Sequence, residues 1–359
     1  MRVAGIMSGT SLDGIDVAVV DLSGQNFEVI EFASFPYPER LRSRLLAVSN
    51  AVVHIAEISR LNFELGEQYA RAVKRTGVPL ESIDLIGCHG QTIFHEKGNT
   101  LQIGSAAILA ERLGKPVVSD FRPRDIAAGG RGAPLVPFMD YWLYRHPKLC
   151  RVALNIGGIA NVTILPAKPK PEDVIAFDTG PGNMVIDQLT EMYTRGKRRY
   201  DDGGTLARKG TLQPKLLENL LRRSFYRKAP PKTAGREQYG REFIEELLKT
   251  GTPMLDLITT ATALTPATIA IALQRFTPQP VDELIVSGGG AHNVQMMAYL
   301  QAFLPGVKLK ASSEFGVDVD AKEAIAFAIL AHETWRRRPS NVPSATGAKR
   351  PVILGNVTY

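Results

Sequence analysis

The chain has 359 residues, 44% hydrophobic and 22% charged, with 43 basic against 36 acidic residues and a formal charge of +7. That length suggests about two domains. The composition excludes wholesale disorder, and the 32 Gly and 23 Pro follow no period, which excludes collagen-like and low-complexity chains. The longest apolar runs fall short of the ~18 residues that a membrane span needs. Met1-Arg2-Val3-Ala4-Gly5 leads directly into a strand pattern and lacks the marks of a signal peptide. Cys88 and Cys150 give neither a disulfide framework nor a CxxC pair, so a reducing, cytoplasmic setting is expected. The basic runs at 195–200, 222–228 and 336–338 read as solvated faces rather than as a nucleic-acid surface. A smaller anionic ligand, a nucleotide or an acidic sugar, fits the excess equally well. No nucleic-acid or membrane partner is expected, and the oligomeric state, a homodimer included, is left open.

Residues 2–6 read as a strand, 7–14 as a Gly/Ser/Thr/Asp turn, 15–22 as a second strand and 27–35 as a third, ended by Pro36 and Pro38. Helical periodicity covers about 39–50 and 55–76, the second closed by Gly77 and Pro79. Residues 85–89 are a short buried strand running into a polar turn, 105–113 a helix capped by Gly114, and 116–119 a strand. The segment 120–134 is glycine-rich and charged, fitting a domain crossing, a functional loop or both. The second half then repeats the opening: strand 151–156, glycine turn 157–161, strand 162–165. An apolar strand, 174–177, ends at Asp178 before a Gly-Pro-Gly turn, and 166–173 and 227–240 are irregular. Strand 283–287 enters Gly288-Gly289-Gly290 and a helix over about 293–303, and a last helix covers about 322–335. Pro339, Pro343 and Pro351 prevent one continuous helix beyond it. Whether residues 336–359 pack is open.

Three glycine-rich turns thus follow three apolar strands. Backbone N–H groups exposed at such turns cradle anions. Any one of them could be an ordinary hairpin turn; three in one context, in two halves, point to a nucleotide. Gly9 and Gly14 have the Walker A glycine spacing, but Ile15 stands where Lys is needed, which excludes a P-loop. The GxGxxG fingerprint is absent at the first turn, which leads into a strand rather than a helix. The duplicated strand–turn–strand arrangement resembles that of the actin, Hsp70 and hexokinase superfamily.

Met7-Ser8-Gly9-Thr10-Ser11-Leu12-Asp13-Gly14-Ile15-Asp16 closely resembles the signature of the anhydro-N-acetylmuramic acid kinases. Cys88-His89-Gly90-Gln91-Thr92-Ile93-Phe94-His95, the 120–137 stretch, Asn155 to Asn161, Phe177-Asp178-Thr179-Gly180-Pro181-Gly182-Asn183 and the 288–293 turn match further family blocks, so the resemblance covers residues 1 to about 335. One block departs: the family's Pro-Pro-Lys-Ser-Thr-Gly-Arg-Glu stands here as Pro230-Pro231-Lys232-Thr233-Ala234-Gly235-Arg236-Glu237, a hydroxyl moved by one position.

The resemblance implies an α/β, two-lobed actin/Hsp70/hexokinase-like fold, with a duplicated mixed β-sheet core, flanking helices and ATP in the interdomain cleft. It implies an N-terminal lobe of residues 1–125, completed by about 324–359, and a C-terminal lobe of 126–323. The implied reaction uses ATP, Mg2+ and water to phosphorylate O6 of 1,6-anhydro-N-acetylmuramic acid and to open its anhydro bridge. The products are N-acetylmuramic acid 6-phosphate and ADP, in peptidoglycan recycling. Another sugar or small-acid kinase of the superfamily, or a non-enzymatic nucleotide switch, is the alternative.

Asp178 matches the family's catalytic aspartate and would accept the proton of the attacking water; a cap for the helix beginning near Asn183 is the other reading of its place. Gly9, Thr10, Ser11, Leu12, Asp13, Gly14, Ile15 and Asp16 would hold phosphates, with Asp13 and Asp16 orienting Mg2+ through water. Gly157, Gly158 and Asn161 resemble the second phosphate hairpin, and Gly288, Gly289 and Gly290 the adenosine turn. Arg124, with Arg122 the second choice, would read the lactyl carboxylate bidentately, unless both form surface salt bridges. Glu323 matches a glutamate near the sugar, although an acid at a helix N-terminus is favoured there anyway. His89 is grouped with the substrate residues, or packs in the core with Cys88. With His95 these two do not reach the ligand number of a zinc site.

Overall fold

A computed structural model describes residues 1–9, 12, 14–23, 26–318 and 321–359, apart from the side chains of Asn26 and Arg236. In chain order the first elements are β1 (Arg2–Ser8), β2 (Gly14–Ser23), β3 (Asn26–Pro36), α1 (Glu39–Val48), α2 (Ile55–Arg75), β4 (Leu85–Glu96), β5 (Asn99–Ile103), α3 (Ala106–Leu113), β6 (Val117–Ser119), α4 (Pro123–Ala127) and α5 (Val136–Tyr144). Next come β7 (Arg151–Ile156), β8 (Ile159–Leu165), β9 (Ile175–Pro181), α6 (Asn183–Tyr193), α7 (Pro214–Leu221), α8 (Arg236–Tyr239), α9 (Arg241–Leu248), α10 (Met254–Phe276), β10 (Glu283–Ser287), α11 (Val294–Phe303) and β11 (Lys308–Ala311). The chain ends with α12 (Lys322–Trp335), α13 (Pro343–Thr346) and β12 (Asn356–Thr358). These elements form two compact α/β units, Met1–Leu143 with Gly316–Tyr359, and Tyr144–Phe315. The expected breaks lay at 125/126 and 323/324; the structure divides instead after Leu143 and at Gly316.

The first unit is built on a mixed sheet in the order β12-β6-β4-β1-β2-β3, with β5 paired to β4. β1 runs parallel to β4 and antiparallel to β2. Val3, Ala4, Ile6 and Val17 to Val20 are all fully buried, which is why β1 and β2 read as near-continuous apolar runs. Gly5 and Gly87 are neighbours in the β1–β4 register. A Cβ on Gly5 would lie 2.0 Å from the Ala324 carbonyl oxygen, and one on Gly87 2.3 Å from that of Phe327. α12 therefore rests directly on the strand backbones, and two glycines side by side form the slot that receives it. A separate layer packs Leu41 of α1, Leu65 and Tyr69 of α2 and Leu109 of α3 against Ile6, Val17 and Val19.

β4 runs to Glu96, beyond the short strand expected at 85–89, because its polar second half is the partner of β5. Residues 336–359 do pack. β12 pairs antiparallel with β6. Asn341 Nδ2 and Thr346 Oγ1 donate to Oδ1 of fully buried Asp125, while Oδ2 accepts the Gly132 N–H. One carboxylate thus ties the glycine-rich segment to the C-terminal tail, which explains why that segment stays with the first unit.

The second unit has a mixed sheet in the order β11-β10-β7-β8-β9. β10 runs parallel to β7 and β11, while β7, β8 and β9 are antiparallel. Its main helix is α10, whose Ile258, Ala263, Leu264 and Ile269 are fully buried. The threonines that interrupt its apolar pattern are also buried and bonded: Thr262 donates to Ile258 O, Thr265 to Gly182 O and Thr268 to Thr265 O. α10 is long and apolar enough, by length and composition, to cross a membrane, which corrects the expectation drawn from uninterrupted apolar runs. Its burial within the unit marks it as a core helix.

Candidate active site

In the first unit the turn after β1 is braced by side chains remote in sequence. Gln91 Nε2 donates to Gly9 O at 3.1 Å, and Tyr37 OH donates to Gln91 Oε1 at 3.3 Å. Ser8 Oγ and Tyr69 OH share a bond of 2.7 Å. Burial pushes the Tyr37 phenol up to about 12 and raises that of Tyr69, so both remain protonated. Leu12 is buried with φ +57°, closes the turn through its N–H to Gly9 O, and receives Arg42 Nε on its own carbonyl. Thr10, Ser11 and Asp13 lie outside the described residues. Gly14 has a packing reason for being glycine, since a Cβ there would lie 2.5 Å from Phe35 O of β3. Ile15 is buried, and Asp16 pairs with Met7 and Ser34 across β2. Sequence reasoning missed Tyr37, Arg42, Tyr69 and the bracing by Gln91; only Gln91 stood in a quoted motif.

A second cluster of the first unit gathers His89, Arg122 and Glu323. Arg122 donates from Nε and Nη2 to His89 Nε2, at 3.1 and 2.9 Å, and from Nη1 to Gly132 O at 3.0 Å. His89 Nδ1 lies 2.7 Å from Gly90 O, so Nδ1 carries the ring proton and Nε2 is the acceptor. Burial and the guanidinium together hold His89 down at about 3, a neutral imidazole. Burial lowers Arg122 to about 10, against the opposing pull of Glu323. Among the described residues Arg122 forms no salt bridge; it is oriented by a neutral histidine. Arg124 stands exposed on α4. Glu323 sits in the first turn of α12, solvent-accessible but closely surrounded by protein; that partial desolvation raises its carboxyl, Asp16 raises it further, and Arg122 and Lys322 oppose. Cys88 is buried and its thiol is pushed up to about 12 by burial, and His95 bonds Thr100. No group of three or more His, Cys, Asp or Glu side chains gathers for a metal among the described residues.

The second unit brings its expected residues together. Asp178 lies on β9 opposite Asn161 of β8. Its N–H donates to Lys232 O at 3.1 Å, and its Oδ2 accepts the Ala234 N–H at 2.8 Å. Burial raises its carboxyl to about 6, against the Ala234 bond and the Lys232 charge, while Glu237 adds to the rise. It does not cap α6, whose N-cap is Gly182 with no side-chain bond. The displaced hydroxyl of the 230–237 block is immaterial to this contact, because Ala234 acts through its main chain and Thr233 is exposed.

The 180–183 turn folds onto the β7–β8 turn: Gly182 N–H donates to Gly158 O, Asn183 N–H to Gly157 O, and Asn183 Nδ2 to Ile156 O. The 288–290 turn sits on the same hairpin. Gly288, at φ +82°, and Gly290 owe their glycines to packing, because a Cβ on them would lie 2.7 and 2.3 Å from atoms of Asn155 and Ile156. At Gly157 and Gly289, by contrast, a Cβ would meet nothing closer than 3.7 Å, and at Gly158 nothing closer than 3.4 Å. The fold gives no reason for glycine at these three positions. Glycine turns of this kind can expose N–H groups of the sort that bind anions.

The family model described as anhydro-N-acetylmuramic acid kinase matches residues 1–359. The anhydro-N-acetylmuramic acid kinase of Caldanaerobacter subterraneus subsp. tengcongensis is 43% identical, covering 99% of this chain and 96% of its own. That of Bacillus cereus strain ATCC 10987 is 43% identical, covering 100% and 99%. Among solved structures, the ADPNP-bound activator of the 2-hydroxyisocaproyl-CoA dehydratase from Clostridium difficile aligns at TM-score 0.46 and 10% identity, covering 94% of this chain and 96% of that one. A ROK family glucokinase from Streptomyces griseus in complex with glucose and AMPPNP aligns at TM-score 0.42 and 12% identity, covering 93% and 100%. The class is that of ATP-dependent sugar kinases. Within it, the chain belongs to the anhydro-N-acetylmuramic acid kinase family.

Proposed function

We propose that the chain transfers the γ-phosphoryl group of ATP to O6 of 1,6-anhydro-N-acetylmuramic acid while water opens the 1,6-anhydro bridge. The products are N-acetylmuramic acid 6-phosphate and ADP, a step of peptidoglycan recycling. The observation that carries this reading is Asp178: a half-buried carboxylate raised to about 6, fixed by a backbone N–H, in a unit where Gly157, Gly158 and Gly289 have open space beside them. At neutral pH that group is mostly ionised and basic enough to take a proton from water, an effect of about 10²–10⁴-fold. Water attacks C1 and gives its proton to Asp178. The C1–O bond breaks, and the bridging oxygen, now at O6, takes the phosphoryl group.

The family resemblance assigns phosphate contacts to the 9–16 segment of the first unit, Thr10, Ser11 and Asp13 included by sequence, and to Gly157, Gly158 and Asn161 of the second, with Gly288, Gly289 and Gly290 assigned to the adenosine. Phosphoryl transfer needs positioned donors more than covalent chemistry. A Mg2+ ion, when bound, neutralises phosphate charge. Asp16 fits such an ion, since its negative charge is already felt at Glu323. With no larger carboxylate cluster among the described residues, Asp16 would hold it through water, as suits a hard cation that keeps its hydration. The lactyl carboxylate falls to Arg122 or Arg124. Arg122 is the one whose guanidinium is already oriented, by His89 and Gly132. Glu323 lies beside it to receive a sugar hydroxyl. Free, buried Cys88 and Cys150 suit a reducing cytoplasm.

Turnover in H218O tests the reading. The account places the label on the C1 hydroxyl and none on the phosphate, with ADP release dependent on the anhydro sugar. ADP release that is slow and independent of sugar would make the chain a nucleotide switch. Label-free phosphorylation of N-acetylglucosamine would make it another kinase.

A further inference from the structure

Lys232 is a cation that the proposed chemistry does not use, and it is buried. Its ammonium lies among three aromatic rings, 4.8 Å from the centroid of Phe225, 5.1 Å from Phe276 and 5.4 Å from Phe177. It donates one bond, to Phe225 O at 3.1 Å. Phe177 is the residue before Asp178 on β9, Phe276 ends α10, and Phe225 lies in the turn after α7. The cage therefore joins three elements of the second unit. A cation over aromatic faces is held by their quadrupoles, more strongly when desolvated. From the caged residue the chain reaches Asp178 twice: the Lys232 carbonyl accepts the Asp178 N–H, and the Ala234 N–H two residues on donates to Oδ2.

We propose that Lys232 is the positioning residue of the Asp178 base: its caged ammonium pegs the 232–234 segment, whose backbone clamps Asp178, and sets the field around the carboxylate. This rests on Asp178 being the base. Among the described residues, the charged groups around the pair are few. Asp178 faces Lys232 and Glu237, and its charge reaches Tyr239. Lys232 faces Asp178, Arg275 of α10 and Lys228. Burial and those two cations depress Lys232 to about 8, so it is charged wherever Asp178, at about 6, titrates. Loss of the ammonium removes a stabilising charge and slackens the Ala234 bond. Both changes disfavour the ionised carboxylate and raise its pKa.

The test compares the pH dependence of kcat in wild type, Lys232→Met, Lys232→Arg and Asp178→Asn, with circular dichroism to show each is folded. Methionine fills the cage without charge; arginine keeps the charge and stacks on aromatic faces. Lys232→Met is expected to lower kcat about tenfold or more and to move its acid limb up by about half a unit or more, with the KM for ATP nearly unchanged. Lys232→Arg is expected to return the limb towards wild type. A Lys232→Met enzyme with an unmoved limb overturns the proposal, whatever its kcat, and so does a limb that Lys232→Arg fails to return. The Asp178→Asn arm separates the two ideas. If it abolishes turnover while the Lys232→Met limb stays put, only the role of Lys232 falls. If Asp178→Asn retains turnover, the base assignment falls and this proposal with it.

Discussion

The backbone N–H of Ala234 donates to Oδ2 of Asp178 at 2.8 Å, although 56 residues separate the two in sequence. The bond explains how a half-buried carboxylate can be both fixed and basic. Burial alone would push its proton affinity higher, and one donor together with the nearby Lys232 restrains it to about 6. Among the described residues, no hydrogen bond engages the other carboxylate oxygen.

The first consequence is a pH profile. Asp178 works as a base only when ionised, so activity is present above its pKa and lost below it. kcat is expected to fall on the acid side of about pH 6, approaching tenfold per pH unit well below that point. Steady-state rates between pH 5 and pH 8 at saturating substrates check this. A flat profile down to pH 5 would contradict it.

The glycine turns make a contrasting pair. Gly157 has room for a Cβ, whereas one on Gly290 would come within 2.3 Å of Ile156. Gly157→Ala is expected to fold with unchanged stability and to bind ATP more weakly, because the methyl group occupies the phosphate's approach. Gly290→Ala is expected to lose stability, by about 1–3 kcal/mol as overpacking does. Urea titration and ATP calorimetry on both proteins separate the outcomes.

The slot under α12 is a purely structural claim. Gly5→Ala puts a methyl group 2.0 Å from the Ala324 carbonyl, where neither backbone can yield without lifting the helix. A loss of about 1–3 kcal/mol or more is expected. It would appear as a lower urea midpoint at an unchanged slope.

Arg122 and Arg124 can be told apart. Arg122→Lys loses the fork that His89 and Gly132 now orient, and a point charge replaces bidentate geometry. The KM for the anhydro sugar is expected to rise about tenfold or more, as losing a good charged bond of ~1.5–3 kcal/mol would give, with the KM for ATP unchanged. The same change at exposed Arg124 is expected to do less. The reverse order would give the lactyl carboxylate to Arg124.

Much of this was legible in the sequence because it is local. The helix pattern at 322–335 coincides with α12, the patterns at 55–76 and 105–113 with α2 and α3 to within a residue, and Gly114 does cap α3. The duplicated strand–turn–strand opening is real in both sheets. What escaped depends on tertiary neighbours. α10 hid because its buried threonines bond to carbonyls of its own helix and to Gly182, so polarity there does not mean exposure. The far half of β4 hid because its polar side chains are satisfied by β5. The aromatic cage of Lys232 draws on residues 177, 225 and 276, and no spacing announces it. Glycine spacing alone also could not say which glycines serve packing, as at Gly14, Gly288 and Gly290, and which have room beside them, as at Gly157 and Gly289.

The central claim is that Asp178 takes the proton of the attacking water. Asp178→Asn keeps the size of the side chain and an oxygen for the Ala234 N–H, but it cannot accept a proton at neutral pH. Single-turnover rates on the anhydro sugar, with ATP affinity measured by calorimetry on the same protein, test the claim most directly. The account predicts a loss of about 10²–10⁴-fold in turnover, ring opening and phosphoryl transfer failing together, and ATP binding little changed. An Asp178→Asn protein that phosphorylates the sugar at near wild-type rate would contradict it.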